Sequence, residues 1–79
     1  MRVTTLLFAS LRESAGWGTM DLEVPAGSTV RDVADRLERE IDGLTLQGAL
    51  CAVNELYSRP DATLAEGDRL AFLPPVAGG

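Results

Sequence analysis

Gly78 and Gly79, the last two residues, are the pair whose type and spacing could do chemistry. Glycine has no Cβ, so a backbone ending in two glycines can thread a channel too narrow for any side chain and bring its last carbonyl carbon close to other groups. The reacting group would be the α-carboxylate of Gly79. Ahead of it, Pro74-Pro75 fixes φ near its extended value and supplies no N–H. That keeps the segment out of a sheet interior and makes it a stiff stalk, with Val76 and Ala77 between the prolines and the glycines. From Leu73 to Gly79 such a stalk reaches on the order of 20 Å, at ~3.1 to 3.5 Å per residue. On spacing alone, a frayed end accounts for the same residues equally well.

The rest of the chain offers little competing chemistry. It has no histidine and a single cysteine, Cys51, so neither a disulfide nor a zinc site is expected, and no metal. Cys51 falls in an apolar stretch and reads as a small buried hydrophobe. Asp21, Glu23, Glu66 and Asp68 show no spacing that isolates a carboxylate pair for acid and base work. Tyr57 reads as edge-strand packing, and Trp17, between two glycines, as either a loop cover or a partner anchor. All seven basic residues are arginine, so no side-chain amine exists to accept an isopeptide bond. A net charge of −5 argues against nucleic acid and favours a basic protein partner.

Seventy-nine residues make one domain with one small core, burying about 60% of the surface its unfolded chain would expose. No apolar run approaches the ~20 residues of a membrane span, and the apolar part of Met1 to Phe8 is too short for a signal peptide. A cytoplasmic protein with no membrane partner is expected.

The elements that must position the tail can be read in order. Val3 to Ala9 is an apolar, β-branched first strand, buried on part of both faces. Ser10 and Glu13 have capping-box spacing for a short helix that Gly16 stops. Met20, Leu22 and Val24 alternate with Asp21 and Glu23 as a half-exposed second strand, ended by Pro25-Ala26-Gly27. Thr29 and Asp32 form a second capping box, and Val30, Val33, Ala34, Leu37 and Ile41 make one apolar stripe, which predicts a helix over 30–41. Asp32 with Arg36 and Asp35 with Arg39 are i, i+4 pairs on its solvated face. Ala49 to Val53, Leu56 to Ser58 and Arg69 to Leu73 read as three further strands, with Asn54-Glu55 as a turn. This order predicts an α+β roll: a mixed sheet of four to five strands on one main helix, with a short helix besides. The apolar first and last strands should pair in parallel at its centre, with the domain over 1–73 and the tail over 74–79.

With this order and this tail, the chain resembles the ubiquitin-like sulfur carriers of the β-grasp superfamily and, more narrowly, the small subunits of molybdopterin synthase. The resemblance runs almost end to end. It is carried by Leu11-Arg12-Glu13-Ser14-Ala15-Gly16, by Val24-Pro25-Ala26-Gly27-Ser28-Thr29-Val30, by Val53-Asn54-Glu55, by Glu66-Gly67-Asp68-Arg69-Leu70-Ala71-Phe72 and by the tail. The octet Phe72 to Gly79 discriminates, because the related thiamine-pathway carriers share Gly-Gly but usually lack Pro-Pro. Arg69 stands where an acidic residue is common in such subunits.

The resemblance implies that Gly79 is adenylated by an adenylyltransferase resembling ubiquitin-activating enzymes, which consumes ATP, and that a sulfur donor protein then converts it to a thiocarboxylate. The large subunit of molybdopterin synthase would receive the tail, and sulfur would pass to cyclic pyranopterin monophosphate. Gly78 would license entry, with Ala77, Val76, Pro75 and Pro74 inserted behind it and Phe72 and Leu73 at the base of the docking surface. The chain itself would be non-catalytic and bind no cofactor, its catalytic partner residues lying on the large subunit of a heterotetramer. Carriers for thiamine or cysteine synthesis, and a ubiquitin-like protein modifier, remain as alternatives.

Overall fold

The computed structural model describes residues 1–75. Along β1 (Arg2–Leu7), Val3, Thr5 and Leu7 are buried, while Arg2, Thr4 and Leu6 lie on the other face. This period of two is what a sheet covered on one side imposes. The helix α1 (Ala9–Ala15) follows, and Gly16 ends it in a left-handed conformation (φ 85°), its N–H donating to Arg12 O. The Ser10–Glu13 box does not form: Phe8 is the N-cap residue and makes no side-chain capping bond. The chain instead enters α1 through Ala9 at φ 50°, so the turn is set by where β1 ends rather than by a cap.

β2 (Thr19–Glu23) pairs antiparallel with β1, from Arg2 opposite Glu23 to Leu6 opposite Thr19. The amphipathic α2 (Val30–Glu40) then crosses the sheet, its capping box intact, with Thr29 Oγ1 accepting from Asp32 N–H and Asp32 accepting from Thr29 N–H. Two further N–H groups at its start donate to the loop before β5, Val30 to Ala62 O at 3.0 Å and Arg31 to Pro60 O at 2.8 Å. Those orphan donors of a helix start are satisfied by tertiary structure. On the solvated face Arg36 pairs with Glu40 at 3.1 Å and reaches Glu23 O, and neither expected i, i+4 pair from Asp32 or Asp35 is among the ion pairs of the described residues.

β3 (Leu50–Val53) and β4 (Leu56–Ser58) form a hairpin about Asn54-Glu55, and β5 (Arg69–Leu73) returns between β1 and β3. The five-stranded order is β2-β1-β5-β3-β4, with β1 and β5 parallel and the other pairs antiparallel. This is the mixed α+β roll that the element order implied, parallel central pair included. One face of the sheet packs against Val30, Val33 and Leu37 of α2 through Val3, Leu7, Leu22, Leu70 and Phe72. Trp17 packs half-buried against this core, as a loop cover does.

The candidate functional site at the tail-side end of the sheet

β5 ends where its ladder runs out of donors. Phe8 N–H donates to Phe72 O at 3.2 Å on one side, and Leu73 pairs with Leu50 on the other. Pro74 has no N–H to continue. It is half-buried, and Pro75 is exposed. Val76, Ala77, Gly78 and Gly79, expected to enter a partner and to react, lie outside the described residues.

Phe72, expected at the base of the docking surface, lies in the core instead. It is 2% exposed and faces α2 as part of the core, because its register partners Leu7 and Cys51 are on the covered face. Leu73, one residue on, takes the opposite face by strand alternation and is half-buried. There it joins a set that sequence reasoning missed. The row across the uncovered face is Leu6, Ala71, Ala52 and Tyr57, each paired with the next, and Leu50 sits beside Leu73. Leu50 is 38% exposed, Phe8 at the adjoining turn 44%, and Tyr57 77%, so Tyr57 is not packed on its edge strand as expected. The signal for this face existed only once register was known: neither Leu50 nor Leu6 is distinguishable in sequence from a core residue.

The other end of the same face is polar. Arg2 pairs with Glu23 at 2.9 Å, Thr4 Oγ1 donates to Asp21 at 2.8 Å, and Arg69 lies opposite Thr4. Arg2 and Arg69 balance Asp21 and Glu23, so the net −5 of the chain resides elsewhere and this face carries no excess of acid. Apolar contact, not charge attraction, is what its tail-side half offers a partner.

Among the described residues of this face, both carboxylates are held by neighbours, Glu23 by Arg2 and Asp21 by Thr4. Among the described residues no group of three or more Cys, Asp or Glu side chains could hold a metal ion. Cys51 is on the covered face, its thiol donating to Ser58 O at 3.3 Å, and burial pushes its pKa up. It is a poor thiolate at neutral pH. The groove between α2 and β3, which Cys51 lines with Val30, Ala34 and Phe72, belongs to the opposite side of the sheet.

A roll of this topology, with one sheet face left uncovered where β5 ends, defines a ubiquitin-like β-grasp protein. The chain belongs to the ThiS family, whose model matches residues 5–79. It is 37% identical to the molybdopterin synthase sulfur carrier subunit of Escherichia coli over 98% of this chain and 99% of that one. Among solved structures it is similar to small archaeal modifier protein 1 of Haloferax volcanii, with a TM-score of 0.78 and 30% identity over 95% of this chain and 98% of that chain. It is also similar to a chain of the BexX/CysO complex of Amycolatopsis orientalis, with a TM-score of 0.67 and 27% identity over 98% of this chain and 99% of that chain.

Proposed function

We propose that the chain is the sulfur carrier subunit of a molybdopterin synthase, acting through the carboxylate of Gly79. A carboxylate is a poor electrophile, so the first step is activation: a carboxylate oxygen of Gly79 bonds to the α-phosphorus of ATP on an adenylyltransferase and pyrophosphate leaves. Sulfide delivered by a donor protein then attacks the acyl carbon through its sulfur, AMP leaves, the S–H proton passes to solvent, and a thiocarboxylate remains. The large subunit receives the loaded tail, and its sulfur goes to cyclic pyranopterin monophosphate. Positioning is what the carrier contributes, by delivering sulfur into a site shielded from water.

The observation that carries this reading is the root of the tail. Leu73 leaves the central strand pair into Pro74 beside the apolar row Leu6, Ala71 and Ala52, so docking that row onto a partner aims the following residues into it. The naming of the Escherichia coli relative, matched over nearly both whole chains, supports the choice of acceptor. The BexX/CysO complex supports a protein partner for this fold.

The test is incubation with the cognate adenylyltransferase, ATP and a sulfide source, read by intact mass. One terminal oxygen should be exchanged for sulfur, and an unchanged mass beside an active enzyme control rejects the carrier. The likeness to small archaeal modifier protein 1 favours one second reading, a protein modifier. That reading gives instead higher-mass conjugates stable to reducing agent.

A further inference from the structure

An acyl adenylate is attacked by any amine or thiolate that reaches it, not only by its intended sulfur donor. The body of this chain is poor in such groups in a way that composition and fold enforce together. It contains no lysine and no histidine. Its α-amino group, on Met1, donates to Val24 O at 2.6 Å and lies 4.0 Å from Glu23 Oε2, in a residue whose side chain is only 10% exposed. Cys51, the one thiol, is 7% exposed on the covered face of the sheet.

Topology adds distance. Because β1 and β5 run parallel, with Thr4 opposite Arg69 and Leu7 opposite Phe72, the chain start and the root of the tail lie at opposite ends of the sheet. Met1 is seven residues before Phe8, which is roughly 23 Å along a strand at ~3.3 Å per residue. From Leu73 the tail reaches on the order of 20 Å when fully extended. It would also have to double back over the sheet to approach Met1. At the tail end itself, among the described residues, Phe8, Leu50, Leu73 and Ala49 bring no amine or thiol, and the exposed Ser10 and Thr19 bring only hydroxyls.

We infer that this fold is built to be inert toward its own activated terminus: the Gly79 acyl group neither cyclises onto Met1 nor acylates a second copy, and so waits for an external sulfur nucleophile. In the reaction that is prevented, an amine nitrogen would bond to the acyl carbon, the acyl–oxygen bond would break with AMP leaving, and the amine proton would pass to solvent. The product, an amide, would be a dead end for sulfur transfer. The inference rests on the carrier reading, and its corollary is that the chain serves as an acyl donor but never as an acceptor.

The test does not need the adenylyltransferase. The chain is produced with a Gly79 α-thioester by intein cleavage, held at mildly alkaline pH, and followed by intact mass. The expected product is the hydrolysed chain alone, with neither a cyclised monomer nor a covalent dimer. Two variants place an amine near the tail root at exposed positions, Leu50→Lys beside Leu73 and Phe8→Lys beside Phe72. In them the thioester should be lost at least about ten-fold faster, with a cyclised product, because an amine held nearby acts at high effective concentration. Cyclised or dimeric wild-type chain overturns the inference, and so does unchanged thioester loss in both folded variants. Failure of the carrier reading shows separately, as absent ATP–pyrophosphate exchange on the unmodified chain.

Discussion

Leu73 and Phe72 are adjacent, both apolar, and do opposite things because a strand alternates its faces. Phe72 fills the core beneath α2, and its replacement by alanine should cost about 3 to 5 kcal/mol, a large share of what a domain this small can hold. Denaturant titration should show a sharply lowered midpoint. Leu73→Glu, on the half-buried uncovered face, should hold nearly all the wild-type stability yet weaken titration onto the large subunit at least about ten-fold, as loss of a central apolar anchor does. A Leu73→Glu chain that binds normally would remove the uncovered face from the docking surface. The sequence made the alternation of Arg69-Leu70-Ala71-Phe72-Leu73 legible but not which parity faced the helix, since both parities carry leucine. Tyr57 escaped for a related reason: aromatic residues suit strands in general, and only the position of β4 at the sheet edge leaves this one bare.

Among the elements, features set by local residues follow the sequence pattern, and those open to tertiary competition depart from it. The capping box at Thr29 and the apolar stripe from Val30 to Leu37 are set by residues within one helix, and both stand in the structure. The i, i+4 spacing pairs Arg36 with Asp32, but Arg36 sits over the end of β2 and is taken by Glu40 and the Glu23 carbonyl instead. The Ser10 cap failed because the backbone bond from Phe8 to Phe72 O carries strand geometry one residue further, up to Ala9. The β3–β4 turn shows how far local chemistry departs from its ideal. Asn54 and Glu55 both have positive φ, at 52° and 72°, the conformation in which Asn-Gly is preferred. Asn54 is further fixed by accepting from Arg69 N–H at 3.0 Å and donating to Asp68 at 2.9 Å, whereas Glu55 carries its strain on an exposed side chain. Glu55→Gly relieves a penalty of about 1 to 2 kcal/mol and gives back about 0.5 to 1 kcal/mol in unfolded-chain entropy. A net gain of about 0.5 to 1 kcal/mol should appear as a higher denaturation midpoint at unchanged slope, and a fall would show that the Glu55 side chain holds the turn in another way.

Over the whole molecule, the proposed function divides fold and reactivity between two parts of the chain. Among the described residues, the core from Val3 to Phe72 closes around α2, and the central strand pair is complete at Leu73. Removal of residues 76–79 should therefore leave the denaturation midpoint within about 0.5 kcal/mol of the full chain, as surface changes away from packed features do. The same truncation should abolish ATP–pyrophosphate exchange on the adenylyltransferase, because the carboxylate would then belong to Pro75, too near the sheet to enter a channel and too bulky for one shaped for glycine. A chain extended by one alanine after Gly79 separates reach from shape. It keeps the full stalk and a free carboxylate but puts a methyl group at the reacting residue, so exchange should fall as far as in the truncation while affinity for the enzyme stays near that of the unextended chain. Exchange at the wild-type rate in the extended chain would mean that the enzyme does not select glycine, and the reacting group would lose its link to Gly79.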